Sequence, residues 1–162
     1  MSGIISSAGT KSGVISRLGT QAGTCYFVGA NSTVSGTGWS SPDGDDVVPL
    51  NSIEVDTDSC CTVTGGTVRF IAPAHGVYLF GAHIFTADTD TANYFGFYVN
   101  GTNTNFTADT DYYTAFAVSD ADKILTFSSP LKLNANDYVE VRAVSQSDVY
   151  HGHTMWWGCR LR

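Results

Sequence analysis

The chain has 162 residues, 43% of them hydrophobic and 12% aromatic, enough for one buried core and a tail but not for two independent cores. Fifteen acidic against eight basic residues give a formal charge of -7, which argues against nucleic acid as a partner, because phosphate neutralisation supplies most of such affinity. No stretch reaches the ~18 consecutive apolar residues of a membrane-spanning helix, so no membrane insertion is expected.

Residues 1–45 are rich in Gly, Ser and Thr, and their isolated apolar pairs cannot build a core. A ten-residue unit repeats within them, SGIISSAGTK from Ser2 to Lys11 and SGVISRLGTQ from Ser12 to Gln21. Such a unit cannot bury its own apolar pair, so it either stays mobile or docks elsewhere. The sharper expectation is an extended docking arm anchored by Ile4, Ile5, Val14 and Ile15. The start of the chain lacks a basic segment, and its early apolar content is only Ile4-Ile5, so synthesis in the cytoplasm is expected.

Turn signals follow at Gly36 to Trp39 and at Ser41-Pro42-Asp43-Gly44. From Val47 onward, strand-like runs alternate with turn clusters. They cover Val47 to Val55, Thr67 to Ala72, Gly76 to Thr86, Tyr94 to Val99, Tyr112 to Val118, Lys123 to Ser128, Tyr138 to Val144 and Thr154 to Leu161. β-branched and aromatic residues dominate and helical periodicity is absent. The expected class is therefore an all-β antiparallel sandwich or barrel over residues 46–162, behind the arm.

Two runs say more. Tyr78, Phe80, Ala82 and Ile84 form an apolar face, yet Val77, Leu79 and Phe85 on the opposite face are apolar too. A sheet that is wet on one side should alternate apolar with polar, so both faces of this strand want burial and a neighbouring subunit is expected. Val139, Val141 and Ala143 instead alternate with Glu140 and Arg142, as a one-sided outer strand should.

The four cysteines (Cys25, Cys60, Cys61 and Cys159) have no zinc spacing; adjacent Cys60 and Cys61 need a second close pair to hold a metal. Reduced, partly buried thiols are expected, with a disulfide or a redox thiol as the alternative. His151-Gly-His153 offers two imidazoles without the further Glu and His of a cupin-type site, and reads as a turn. Ten of the fifteen acids fall in five pairs, and Thr-Ala-Asp-Thr-Asp occurs twice, placing Asp88 with Asp90 and Asp109 with Asp111. Asx turns are the first reading of these pairs. Calcium, a hard cation taking oxygen ligands, is the second, and no other cofactor is expected. No Walker loop, nucleophile elbow or H-E-x-x-H occurs, and nothing singles out one acid pair as catalytic, so no enzyme is expected. The aromatics of Tyr94 to Tyr98, Tyr112-Tyr113 and Trp156-Trp157 suit core and subunit interface better than a sugar-stacking surface.

Residues 70 to 80 read FIAPAHGVYLF. This resembles the signature of the complement globular-head and tumour-necrosis-factor (TNF) superfamily, matched by Phe70, Gly76, Tyr78 and Phe80, with Ala72-Pro73 before the glycine. Tyr98-Val-Asn-Gly101 is similar to the family's hairpin strand end, Leu133 to Val139 to its L-x-x-G-D-x-V segment, and Gly158 to Leu161 to its last strand. The family's aromatic two residues after Phe80 is Ala82 here, and the glycine before Asp137 is Asn136. The resemblance implies a TNF-like jelly roll packed as a homotrimer, with Phe70, Tyr78, Phe80, Val77, Leu79 and Phe85 in its core and interface.

The leader IISSAGTKSGVIS resembles the starts of small structural proteins of tailed bacteriophages. The expected function is accordingly a trimeric capsid decoration or cement protein of a virion, made in the host cytoplasm and held to a major capsid or tail protein by its arm. One alternative is the tip of a tail fibre, binding a host-surface glycan or receptor. A second is a secreted complement- or TNF-like recognition module.

Overall fold

A computed structural model describes residues 25–30, 39–42, 46–86, 93–103, 115–117, 123–143 and 148–161. They form two antiparallel sheets. In the larger, β2 (Trp39–Ser40), β12 (Val149–Tyr150), β6 (Gly76–Thr86), β13 (Met155–Arg160), β1 (Tyr26–Ala30) and β3 (Ser52–Asp56) follow in that order. β10 (Lys123–Leu133) pairs with the other side of β6 along its whole length. The smaller sheet runs β4 (Cys61–Thr64), β5 (Thr67–Ile71), β11 (Tyr138–Ala143), β7 (Asn93–Val99) and β8 (Thr102–Asn103), and β9 (Ala115–Ala117) also pairs with β7. Among the described residues the only helical turn is His151–His153, between β12 and β13.

The long strands lie where apolar residues alternate. The short hairpins sit where two adjacent residues accept positive φ, at Gly65-Gly66 (61° and 81°) and Asn100-Gly101 (53° and 75°). Such two-residue turns have the twist that antiparallel strands need.

The core between the sheets is a continuous aromatic stack. Phe27 of β1 lies 4.6 Å from Trp156 of β13 and 5.2 Å from Phe70 of β5, ring centre to ring centre. Phe70 meets Phe80 at 5.1 Å and Tyr78 at 5.4 Å, both edge-on, so the Phe-x5-Gly-x-Tyr-x-Phe signature is one contact cluster joining the two sheets. Every ring in that cluster is fully buried. Each such burial contributes about 1.5–3 kcal/mol, and each edge-on pair roughly 0.5–1.5 kcal/mol more. Ala82, where the family carries an aromatic, pairs with Trp156 on one side and Phe127 on the other. Two neighbouring rings thus occupy the space that a side chain at position 82 leaves.

Four expectations change. The boundary at residue 45 is too late, because β1 is an inner strand of the larger sheet, between β13 and β3. The docking residues Ile4, Ile5, Val14 and Ile15 lie outside the described residues. The run expected as one strand from Val47 to Val55 divides around Pro49, which has no N–H to give a ladder. Val47 makes a single bridge to Arg142 and the strand begins at Ser52. Conversely, β10 continues past Ser128 to Leu133 through Pro130, which an edge strand tolerates. Finally, Glu140 is not a wet outer residue. It is fully buried, with Arg69 at 2.9 Å on one carboxylate oxygen and Arg142 on the other. Those guanidinium groups in turn lie over the rings of Tyr138 and Tyr98.

Gly158 marks the tightest place in the core. A Cβ there would stand 2.5 Å from Phe80 and 2.6 Å from Phe27, two rings with no room to retreat. Gly158→Ala is expected to destabilise the fold by roughly 1–3 kcal/mol, read as a lower urea midpoint; an unchanged midpoint would mean that the core is looser than this packing requires.

Candidate functional site

The two sheets present very different outer surfaces. On the smaller sheet the outward positions carry Thr62, Thr64, Arg69, Tyr138, Glu140 and Arg142. On the larger sheet they are mostly apolar in successive cross-strand rows, with Ser128, His83 and Thr126 as the polar members. Tyr26, Cys159, Leu79 and Pro130 make one row, and Val28, Trp157, Gly81 and Ser128 the next. Ala30, Met155, His83 and Thr126 make a third, while Phe85 pairs with Ile124 beyond it. The Trp157 ring lies across Gly81, where any Cβ would collide with it. That glycine therefore flattens the face.

Exposure marks the same surface. Tyr26 (40%), Val55 (39%), Ile124 (55%) and Met155 (39%) are among the few large hydrophobic residues left open to solvent, and all four lie on this face. Toward β10 the face dips into a hollow of about 570 Å³ lined by Val28, Ala30, Phe85, Ile124 and Met155, with Glu54, His83 and His153 at its polar edge. A soluble sandwich ordinarily alternates polar residues onto such a surface.

The sequence-derived site residues divide cleanly. Phe70, Tyr78 and Phe80 are inner-core residues, fully buried within the subunit. Val77, Leu79 and Phe85 point outward from the same strand and are half-buried. Asp88, Asp90, Asp109 and Asp111 lie outside the described residues. His153 packs its ring on Phe85 and Tyr150, at 5.7 and 5.3 Å, as part of the turn into β13. Phe95, Phe97 and Trp156 are buried, so these aromatics serve the core. Tyr26, Val28 and Val55 were missed because their strand, or its partner, was not read from the sequence; their signal was the alternation with Phe27 and Gly29.

The cysteines also depart from expectation. Cys25 and Cys60 are joined as a disulfide across 35 residues, where reduced thiols were expected. β1 and β3 pair side by side, and this brings the two sulfurs together. Cys61 beside them keeps a free thiol, which burial and then the Asp56 carboxylate push far above its usual range. Asp56 accepts the backbone N–H groups of both Cys60 and Cys61 at 2.9 Å, so here the acid shapes a turn.

Three of the segments that carry the family resemblance meet at one corner. The Asn100 side-chain amide donates to Asp137 at 2.9 Å, the Tyr138 N–H donates to the Asn100 side chain at 3.0 Å, and the Asn134 N–H donates to Asp137 at 2.7 Å. The backbones of Ala72 and Asp137 bond at 2.8 Å, tying in the Ala72-Pro73 segment. Asn136 stands at φ 71°, a left-handed conformation that asparagine tolerates better than most residues other than glycine.

Solved structures of low sequence identity share this arrangement of strands. The globular domain of zebrafish complement 1qA superposes with a TM-score of 0.62 at 14% identity, over 85% of this chain and 98% of that one. Eiger TNF from S. frugiperda gives 0.59 at 16%, over 85% and 92%. Murine APRIL gives 0.58 at 12%, over 85% and 98%. The fold is a TNF-like jelly roll. No family model matches the sequence, and no curated protein matches it.

Within this jelly roll the Asn100–Asp137 corner sets a pH dependence. Hydrogen bonds from Asn100 and from the Asn134 backbone hold the Asp137 carboxyl below its usual value of 3.8. A lowered folded value means stabilisation that is present above the unfolded pKa and lost as pH falls through the folded one. Asp137→Asn should therefore lower the urea midpoint at pH 7 and lower it by less at pH 3. A deficit independent of pH would assign Asp137 a purely geometric role.

Proposed function

We propose that this chain is a non-enzymatic structural protein that works as a homotrimer, its subunits meeting through the apolar outer face of the larger sheet. The asymmetry between the two faces carries this reading. One is covered by arginines, threonines and a buried ion pair, the other by rows of aliphatic and aromatic residues. Removing the apolar face from water would contribute on the order of 25 cal/mol for each Å² covered. Three copies is the assembly that the resemblance to the complement and TNF heads implies. Val77, Leu79 and Phe85 would then be interface residues, and Phe70, Tyr78 and Phe80 the core beneath them.

The proposed setting is the surface of a virion, as a decoration or cement protein held by the N-terminal repeat. The repeat supports this, since two apolar pairs ten residues apart span roughly 33 Å when extended and can reach separate pockets on a lattice. Three arms per trimer would add their weak contacts by avidity. A second reading keeps the trimer and makes it a secreted recognition module. The Cys25–Cys60 bridge favours that one, because disulfides persist chiefly in oxidising compartments.

Light scattering at micromolar concentration should give three times 17.3 kDa, and Leu79→Asp, which puts a charge at the centre of the face, should give a monomer with an unchanged far-ultraviolet spectrum. A wild-type monomer, or a Leu79→Asp trimer, would overturn the interface. Deleting residues 1–22 removes none of the described strands and should leave the trimer intact while abolishing its attachment to particles. Normal occupancy by the truncated protein would assign attachment to the globular domain.

A further inference from the structure

Beside β1, at the turn between β3 and β4, four side chains with metal-binding atoms come together. The Asp56 carboxylate and the sulfurs of Cys60 and Cys61 lie within 4.8 Å of one another, and Cys25 joins them through its bond to Cys60. We propose that, when the disulfide is reduced, this corner binds a zinc ion through the thiolates of Cys25, Cys60 and Cys61 and the carboxylate of Asp56.

The sequence shows no C-x2-C spacing, and adjacent cysteines alone cannot close a tetrahedron. The fold supplies the missing pair. β1 brings Cys25 alongside Cys60, with 6.8 Å between their Cα atoms, and the last residue of β3 is Asp56. Three sulfurs and one oxygen are a donor set that zinc takes in four-coordinate structural sites. With Zn–S bonds of about 2.3 Å, the edges of such a tetrahedron are roughly 3.8 Å, close to the separation two sulfurs adopt once the bond between them is gone. The ligands therefore need side-chain adjustment and no movement of the sheet.

Burial and outer contacts fit as well. Cys25 is fully buried, and Cys60 and Cys61 are 3% and 9% exposed, which shields a metal–thiolate cluster from water and competing ligands. The two N–H groups on Asp56 already hold its carboxylate toward the sulfurs, at 3.2 Å from Cys60, and each oxygen keeps a further lone pair. This is the kind of support that orients a ligating carboxylate.

The chemistry balances simply. An added phosphine supplies the two electrons that break the Cys25–Cys60 bond and leaves as its oxide, water providing the oxygen and the two thiol protons; zinc then displaces three thiol protons to solvent. β1 is tied to the β3–β4 turn in both states, by a disulfide under oxidising conditions and by a metal under reducing ones. This inference stands apart from the trimer, since none of the four residues belongs to the apolar rows except through the neighbouring Tyr26.

The test uses the full chain reduced with a phosphine, loaded with zinc against a chromophoric chelator, and in parallel with cobalt as a spectroscopic probe. The expected result is a single equivalent of zinc and a tetrahedral cobalt spectrum with intense thiolate charge-transfer bands. Cys61→Ser leaves the disulfide partners intact and should weaken zinc at least tenfold, whereas Cys159→Ser, outside the cluster, should not. Oxidised wild type should bind no zinc. The proposal is overturned if reduced wild type takes up no zinc, if its cobalt spectrum lacks thiolate bands, or if Cys61→Ser binds as tightly as wild type. Because the cobalt spectrum is read on wild type, the test survives a failure of any variant to fold.

Discussion

Everything in this sandwich rests on Phe27 reaching Trp156, Phe70 and Phe80 at the same time. Phe27 and Trp156 belong to neighbouring strands of one sheet, and Phe70 belongs to the other. The contact therefore fixes the pairing of β1 with β13 and the spacing between the layers together. It is available only because Gly158 leaves the floor beneath Phe27 and Phe80 empty, and because Gly29 does the same beneath Trp156. Close-packed interiors transmit such constraints over long distances. With the rings fixed, the outward positions of β1, β6 and β13 fall into register, and the flat apolar face follows.

Much of this was legible in the sequence, for identifiable reasons. β6 is eleven residues with apolar side chains on both faces, and its boundaries at Gly76 and Thr86 were read correctly. The Phe70 to Phe80 signature could be read because its spacing reflects one physical cluster across the sheets. The Tyr98 to Gly101 segment could be matched to a hairpin strand end because Asn100 and Gly101 both take the positive φ that such a turn needs.

β1 stayed hidden because one of its two inward positions is Gly29, so a five-residue strand offered a single inward hydrophobe within a Gly/Ser/Thr-rich stretch. The cysteine pairing stayed hidden for the same cause, since only the β1–β3 register brings residues 25 and 60 together. Glu140 was misjudged because alternation reports which face a residue occupies and not what covers that face. Two arginines and two tyrosines cover it here, converting an outer position into a buried ion network. Removing one member of such a network leaves a buried charge without its partner, which is strongly destabilising.

Pro130 has a wider meaning than its tolerance at an edge. β10 is eleven residues long and, among the described residues, its ladder partner is β6. A long strand with one ladder partner can template pairing with another chain. Proline takes one donor out of the strand, and Lys132 sets a charge two residues further along it. Many copies held at high local density would be the most exposed to runaway β-aggregation. In this molecule the edge strand that borders the apolar face also carries Pro130 and Lys132, which oppose open-ended strand addition there.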